Sequence, residues 1–115
     1  YLQYSYARSR SILEKAKAEK VKPSIRKFSA KIFTLERLLY RFPQIVERSG
    51  KEYSPHYIAT YLIDLSRTFS TFYGQEKIID QADLNSPYKI ALTEAFSIVI
   101  KNGLNLLGIQ APEKM

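Results

Sequence analysis

The chain has 115 residues, enough for one domain with a buried core, and its 45% hydrophobic and 25% charged composition is that of a folded globular protein. It has no cysteine, which excludes disulfides, thiolate metal sites and cysteine nucleophiles, and its single histidine, His56, excludes two- and three-histidine zinc motifs. The net charge is +7, and the whole excess sits in residues 1–31, where nine Lys or Arg meet only Glu14 and Glu19; such a segment is either a polyanion-binding surface or a solvated helix face running into a basic linker.

Residues 1 to about 20 read as a helix, because Leu2, Tyr6, Ser9, Leu13 and Ala16 recur at three-and-four spacing. Residues 21–29 hold Pro23 and much charge and read as a loop. Ser29 is placed to cap a second helix reaching Phe42, with Ile32, Leu35, Leu38, Leu39 and Phe42 facing inward. Pro43 opens a short helix through Ile45 and Val46 toward Ser49-Gly50. Ser54-Pro55 is a start signal, a capping hydroxyl followed by proline. That helix runs through Ile58, Tyr61, Leu62, Leu65, Phe69 and Phe72 to Gly74 or a turn beyond. Residues 80–86 form a polar loop, and Ser86-Pro87 repeats the start signal.

In the last helix the expected stripe is Ala91, Ala95, Ile98, Asn102 and Leu106, widened by Ile90 and Val99. Gly103 lies inside this helix, where glycine costs about 1 kcal/mol against alanine; a tight crossing with another helix is the expected compensation. Gly108 is the expected left-handed stop, Pro112 prevents resumption, and Ile109 with Met115 suggests a docked tail. No strand alternation, internal repeat or low-complexity run is present. The longest apolar stretch, residues 95–100, is broken by Ser97, so no segment has the roughly 18 apolar residues of a membrane span. The fold class is all-α, a bundle of four to five helices spanning residues 1–115 as one domain. The chain does not open on Met and is expected to be a fragment of a longer polypeptide.

Catalytic motifs are missing. The four glycines form no GxGxxG; Gly103 and Gly108 have phosphate-loop spacing, but Ile109-Gln110 follow where Lys-Ser/Thr is required. His56 reads as an N-terminal helix residue bonding nearby backbone. No catalytic, cofactor or metal residues are assigned. What the pattern does carry is aromatic–cation pairing. Tyr1, Tyr4, Arg8 and Lys15 share a face of the first helix distinct from the Leu2–Leu13 stripe, and Tyr73 and Lys77 repeat the chemistry at i, i+4. A ring or guanidinium plane stacks on a base and a cation meets phosphate, which suits a single-stranded nucleic acid. For Tyr4 and Tyr73 a half-buried core role fits the pattern equally; for Tyr40, Tyr57 and Tyr61 the core role is preferred. Arg10 and Lys17 add general attraction.

Three stretches then resemble one family: Tyr1-Leu-Gln-Tyr4-Ser-Tyr-Ala-Arg8-Ser-Arg-Ser-Ile-Leu13; Ser54-Pro-His-Tyr-Ile-Ala-Thr-Tyr-Leu-Ile-Asp-Leu65 running into Phe72-Tyr73; and Asn102-Gly-Leu-Asn-Leu-Leu-Gly-Ile-Gln-Ala-Pro-Glu-Lys-Met115. In order and over essentially the whole chain they resemble the C-terminal, DALR-type anticodon-binding domain of arginyl-tRNA synthetases. The tail is the stretch most specific to the arginine enzymes. The resemblance implies a tRNA anticodon reader serving an ATP-dependent class I ligase. The family's His-x-Gly-His and Lys-Met-Ser-Lys-Ser-like signatures have no place here, since the chain has one His and its only Met is residue 115. ATP and arginine are therefore expected on a separate catalytic domain, with none bound by this segment.

The family's contact positions fall on Tyr4, Arg8, Tyr73 and Met115. Lys77 stands where some members have an aromatic residue, exchanging a stacking surface for a cation. Tyr1, Arg10, Lys15 and Lys17 are assigned to a general phosphate-attracting face. The implied partners are an arginine tRNA and the protein's own catalytic domain, with no membrane; the implied state is a cytoplasmic monomer. The second reading is a helical protein-docking module with a basic surface.

Overall fold

The computed structural model describes residues 1–28, 31–109 and 111. Among them are five helices and no strand: α1 (Leu2–Ala18), α2 (Thr34–Tyr40), α3 (Phe42–Lys51), α4 (His56–Gln75) and α5 (Ser86–Leu106). The all-α expectation holds, and no described helix is long and apolar enough to cross a membrane.

The core centres on α4 and α5. Phe69 stacks on Phe96 with centroids 4.2 Å apart. At the other end of this antiparallel pair Gly103 lies against Leu62, and a Cβ on Gly103 would stand 2.6 Å from Leu62 Cδ2. The helix-interior glycine thus serves a close crossing, as expected. α1 packs on both α4 and α5, burying Ser5, Tyr6, Ala7, Ser9 and Ala16. Small side chains let it come close, and the Ser9 hydroxyl is satisfied within the helix by donating to Tyr6 O at 2.6 Å.

The α5 stripe corrects the sequence reading. Ile98 and Leu106 are 52% and 55% exposed and Asn102 is exposed, whereas the buried face carries Ile90, Thr93, Phe96, Ser97, Ile100, Gly103 and Leu104. The reason is local chemistry. Thr93 and Ser97 donate to the carbonyls of Lys89 and Glu94 and so are buried without unmet hydrogen bonds. With two hydroxyls inside and two large apolar residues outside, hydropathy does not phase the helix.

The second helix is also shorter than expected. It starts at Thr34, after an N-cap at Phe33; Ser29 lies outside the described residues, and Ile32 is 57% exposed rather than inward. The N-terminus is satisfied by Glu36, whose Oε1 accepts from Phe33 N–H at 3.2 Å and from Lys27 Nζ at 2.8 Å. Burial alone would raise the Glu36 pKa, but Lys27, the Phe33 N–H and Tyr88 outweigh it and hold the carboxyl below its ordinary value. Lys27 also lies over the rings of Phe33 and Tyr88, so it pins the connection between α1 and α2. Two further bonds pin that connection to the start of α5, from Ser24 N–H to Pro87 O and from Phe28 N–H to Asn85 Oδ1.

The Ser-Pro pairs mark helix starts correctly, but neither serine caps as expected. Ser54 contacts His56 Nδ1, and His56 is exposed with its ring against Tyr57. Ser86 instead joins α5 to the preceding loop, donating to Ile78 O and accepting from Asp80 N–H. Among the tyrosines, Tyr61 is buried and donates to Leu38 O at 2.7 Å, and burial pushes its phenol up to about 12; Tyr57 is half-buried. Tyr40, expected in the core, is 84% exposed because it ends the short α2 on the solvent side.

Gly108 stops α5 as expected, with φ +76°. Ile109 N–H bonds Leu104 O at 2.9 Å and Gly108 N–H bonds Asn105 O at 3.0 Å, which is a Schellman ending. The same bond pattern closes α1 with Lys20 at φ 61° and α3 with Tyr53 at φ 50°. Beyond the stop Ala111 packs on the core, while Ile109 is 39% exposed.

Two outcomes follow. Gly103→Ala should lower stability by up to about 2 kcal/mol in denaturant unfolding, since overpacking costs about 1–3 kcal/mol and the helix-propensity gain returns about 1. Lys89 Nζ pairs with Asp83 at 2.8 Å and Glu76 at 3.1 Å. Its hydrogen bonds hold both carboxyls below their ordinary values of 3.8 and 4.5. Lowered folded-state values mean that the unfolded chain binds protons first on acidification. The stabilisation is therefore present above pH 4.5 and is lost as the pH falls through the folded values, which lie below 4.5 for Glu76 and below 3.8 for Asp83. Lys89→Met should flatten that limb of an acid-unfolding curve.

Candidate nucleic-acid interface

Tyr4 and Arg8 are one turn apart on α1, and the docking of α1 on α4 brings them to Tyr73, near the C-terminal end of α4. The guanidinium carbon of Arg8 is 4.9 Å from the Tyr4 ring centroid and 4.7 Å from that of Tyr73. Arg8 Nη2 donates to the Tyr4 hydroxyl at 2.7 Å. Two helices thus bring two tyrosine rings into cation–π range of one guanidinium. The rings remain 48% and 44% exposed, so neither is a core residue. The half-buried alternative for these two tyrosines is set aside by their position.

The cluster borders an open groove of about 610 Å³ lined by Tyr4, Ala7, Arg8, Ser11, Ile12, Lys15 and Tyr73. Its chemistry is two aromatic faces, two cations and an apolar floor. Ala7, Ser11 and Ile12 were not singled out in the sequence, although they follow from i, i+3 and i+4 neighbourhood to Tyr4 and Arg8.

Tyr1, Arg10, Lys17 and Lys77 are not gathered here. Tyr1 is 63% exposed and outside the groove lining. Arg10 and Lys17 line a different depression, with Leu13, Lys22, Ile90 and Glu94, so the cations of α1 are divided between two sides. Lys77 does not sit one turn beyond Tyr73: α4 ends at Gln75 and Glu76 is extended, at φ −116° and ψ 135°. Lys77 is exposed in the following loop. Met115 lies outside the described residues. Among the described residues no His, Asp or Glu cluster could hold a metal ion.

Residues 2–115 match the DALR anticodon binding domain family. The chain belongs to that family. Relatives of the DALR domain support the assignment over its full length. The arginine–tRNA ligase of Lactobacillus johnsonii is 38% identical over 116 residues, covering all of this chain and 20% of that protein. The arginine–tRNA ligase of Lactococcus lactis is 39% identical over 118 residues, covering all of this chain and 21% of that protein. In three dimensions the domain matches the arginyl-tRNA synthetase of Thermus thermophilus, with a TM-score of 0.73 at 29% identity, over 100% of this chain and 21% of that one. The DALR chain therefore spans about one fifth of the length of these relatives.

Because Tyr73 is exposed and its contact with the half-buried Arg8 is a cation–π contact, Tyr73→Ala should leave the fold intact. The expected loss of stability is under about 1 kcal/mol, the range of an exposed cation–π contact, read from thermal or denaturant unfolding.

Proposed function

We propose that this DALR domain reads the anticodon loop of an arginine tRNA for a longer arginine–tRNA ligase, the rest of which binds ATP and arginine and performs the chemistry. The observation that carries the reading is the convergence of Tyr4, Arg8 and Tyr73 from two helices at one open groove, with Lys15 on its wall. Loop bases of a hairpin are unstacked and present π-faces; tyrosine rings at a groove accept them, and adjacent cations take the phosphates. Met115 is kept as a contact of the anticodon loop, and Tyr1, Arg10, Lys17 and Lys77 are assigned to general attraction of the RNA backbone. The domain acts in the cytoplasm as part of a monomeric enzyme and has no catalysis of its own.

Phosphate contacts release counterions, so affinity should fall steeply as salt rises. Base contacts should survive that titration as a constant difference between tRNA transcripts with native and altered anticodons. Tyr73→Ala should weaken binding of the arginine tRNA by about 1–3 kcal/mol, the usual contribution of base–aromatic stacking. Unchanged affinity in a folded Tyr73→Ala variant contradicts the assignment; salt-sensitive binding that ignores the anticodon leaves only a basic surface.

The docking reading is supported by a separate apolar groove of about 350 Å³ lined by Ile25, Leu39, Tyr40, Ala91, Ala95 and Val99, among others. It is compatible with anticodon reading, since it shares no residue with the Tyr4–Tyr73 groove, and its proposed occupant is the remainder of the same enzyme.

A further inference from the structure

We infer that the Arg8 guanidinium is a stand-in for a nucleobase: it fills the slot between the Tyr4 and Tyr73 rings in the free protein and leaves it when an unstacked base enters. The inference rests on the anticodon-reading function proposed above and adds an exchange within the same groove. The guanidinium is flat, delocalised and weakly hydrated, which makes it the side-chain group closest in shape to a base. Its carbon lies within cation–π range of both rings at once, 4.9 and 4.7 Å from their centroids. A base entering between the same rings therefore needs the space that Arg8 holds.

What holds Arg8 there is weak. Among the described residues its contacts are two cation–π contacts between partly exposed groups and one hydrogen bond to a phenol. Among the described residues the ion pairs of the protein use Lys27, Lys31, Arg48, Lys51 and Lys89, and none uses Arg8. Among the described residues no carboxylate anchors the guanidinium, and a base, whose stacking on an aromatic ring contributes about 1–3 kcal/mol, competes with it. The groove also provides somewhere for the charge to go. Ser11 and Lys15 follow Arg8 on the same wall, where the phosphate of the entering nucleotide would meet both cations. In the free protein the exchange group keeps two tyrosine faces covered; in the complex it neutralises phosphate.

The test is a nuclear magnetic resonance titration of the full chain with an anticodon stem-loop of an arginine tRNA, following the Arg8 Nε–Hε signal and the ring signals of Tyr4 and Tyr73. In the free protein the Arg8 signal should be displaced upfield by the two rings, a displacement that Tyr73→Ala reduces. At saturation with the stem-loop the tyrosine ring signals should shift and the Arg8 signal should move to the position of an arginine away from aromatic rings. If the tyrosines shift while Arg8 keeps its upfield position, the anticodon reading stands and the exchange is overturned. If neither tyrosine responds, the anticodon reading itself fails, and the exchange with it.

Discussion

The α4–α5 crossing is the constraint on which the rest of the molecule depends. Gly103 admits Leu62 at one end and Phe69 stacks on Phe96 toward the other, and the two long helices so joined form the platform for α1. That helix comes down on both through a face of Ser5, Ala7, Ser9 and Ala16 beside the buried Tyr6. Its approach decides where Arg8 ends up. A larger side chain on the small face of α1 would lift α1 from that platform and carry the guanidinium away from Tyr73. The candidate site is thus a by-product of helix packing: neither α1 nor α4 contains it alone.

The positive charge is arranged by the same packing. Nine basic residues crowd residues 1–31, but they are not one surface. Lys27 is committed to Glu36 and the rings around it, and Lys31 reaches Glu76. These pairs hold the connection between α1 and α2 onto the body of the bundle, while Lys89 fastens the loop between α4 and α5 through Glu76 and Asp83. Of the α1 cations, Arg8 and Lys15 face the aromatic groove and Arg10 and Lys17 face away from it. Electrostatic attraction is therefore spread over the α1 side, and the groove combines it with two exposed tyrosine rings.

Much of this architecture was legible in the sequence where one residue type has one use. Pro43, Pro55 and Pro87 mark helix starts, Gly108 marks a stop, and Gly103 announces a close crossing. The Tyr4–Arg8 pair was visible as a helical face. That Tyr73 would join it was implied by the family resemblance and not by spacing, because the contact is between helices. Several of the failures share a physical origin in side-chain hydrogen bonding. Thr93 and Ser97 are buried because their hydroxyls bond their own helix, and this hid the true face of α5. Ser54 and Ser86 spend their hydroxyls on a side chain and a loop carbonyl rather than on the helix ends. Lys77 was paired with Tyr73 on the assumption of a helix that in fact ends at Gln75.

The central claim is that RNA lies in the groove between α1 and the end of α4. Photo-cross-linking tests it most directly, using an anticodon stem-loop of an arginine tRNA with photoreactive bases in the loop and mass spectrometry to find the attached residues. The account predicts attachment at Tyr4, Tyr73 and their groove neighbours Ser11 and Lys15. Attachment confined to the apolar groove around Ile25 and Tyr40, or spread evenly over the exposed lysines, would contradict it.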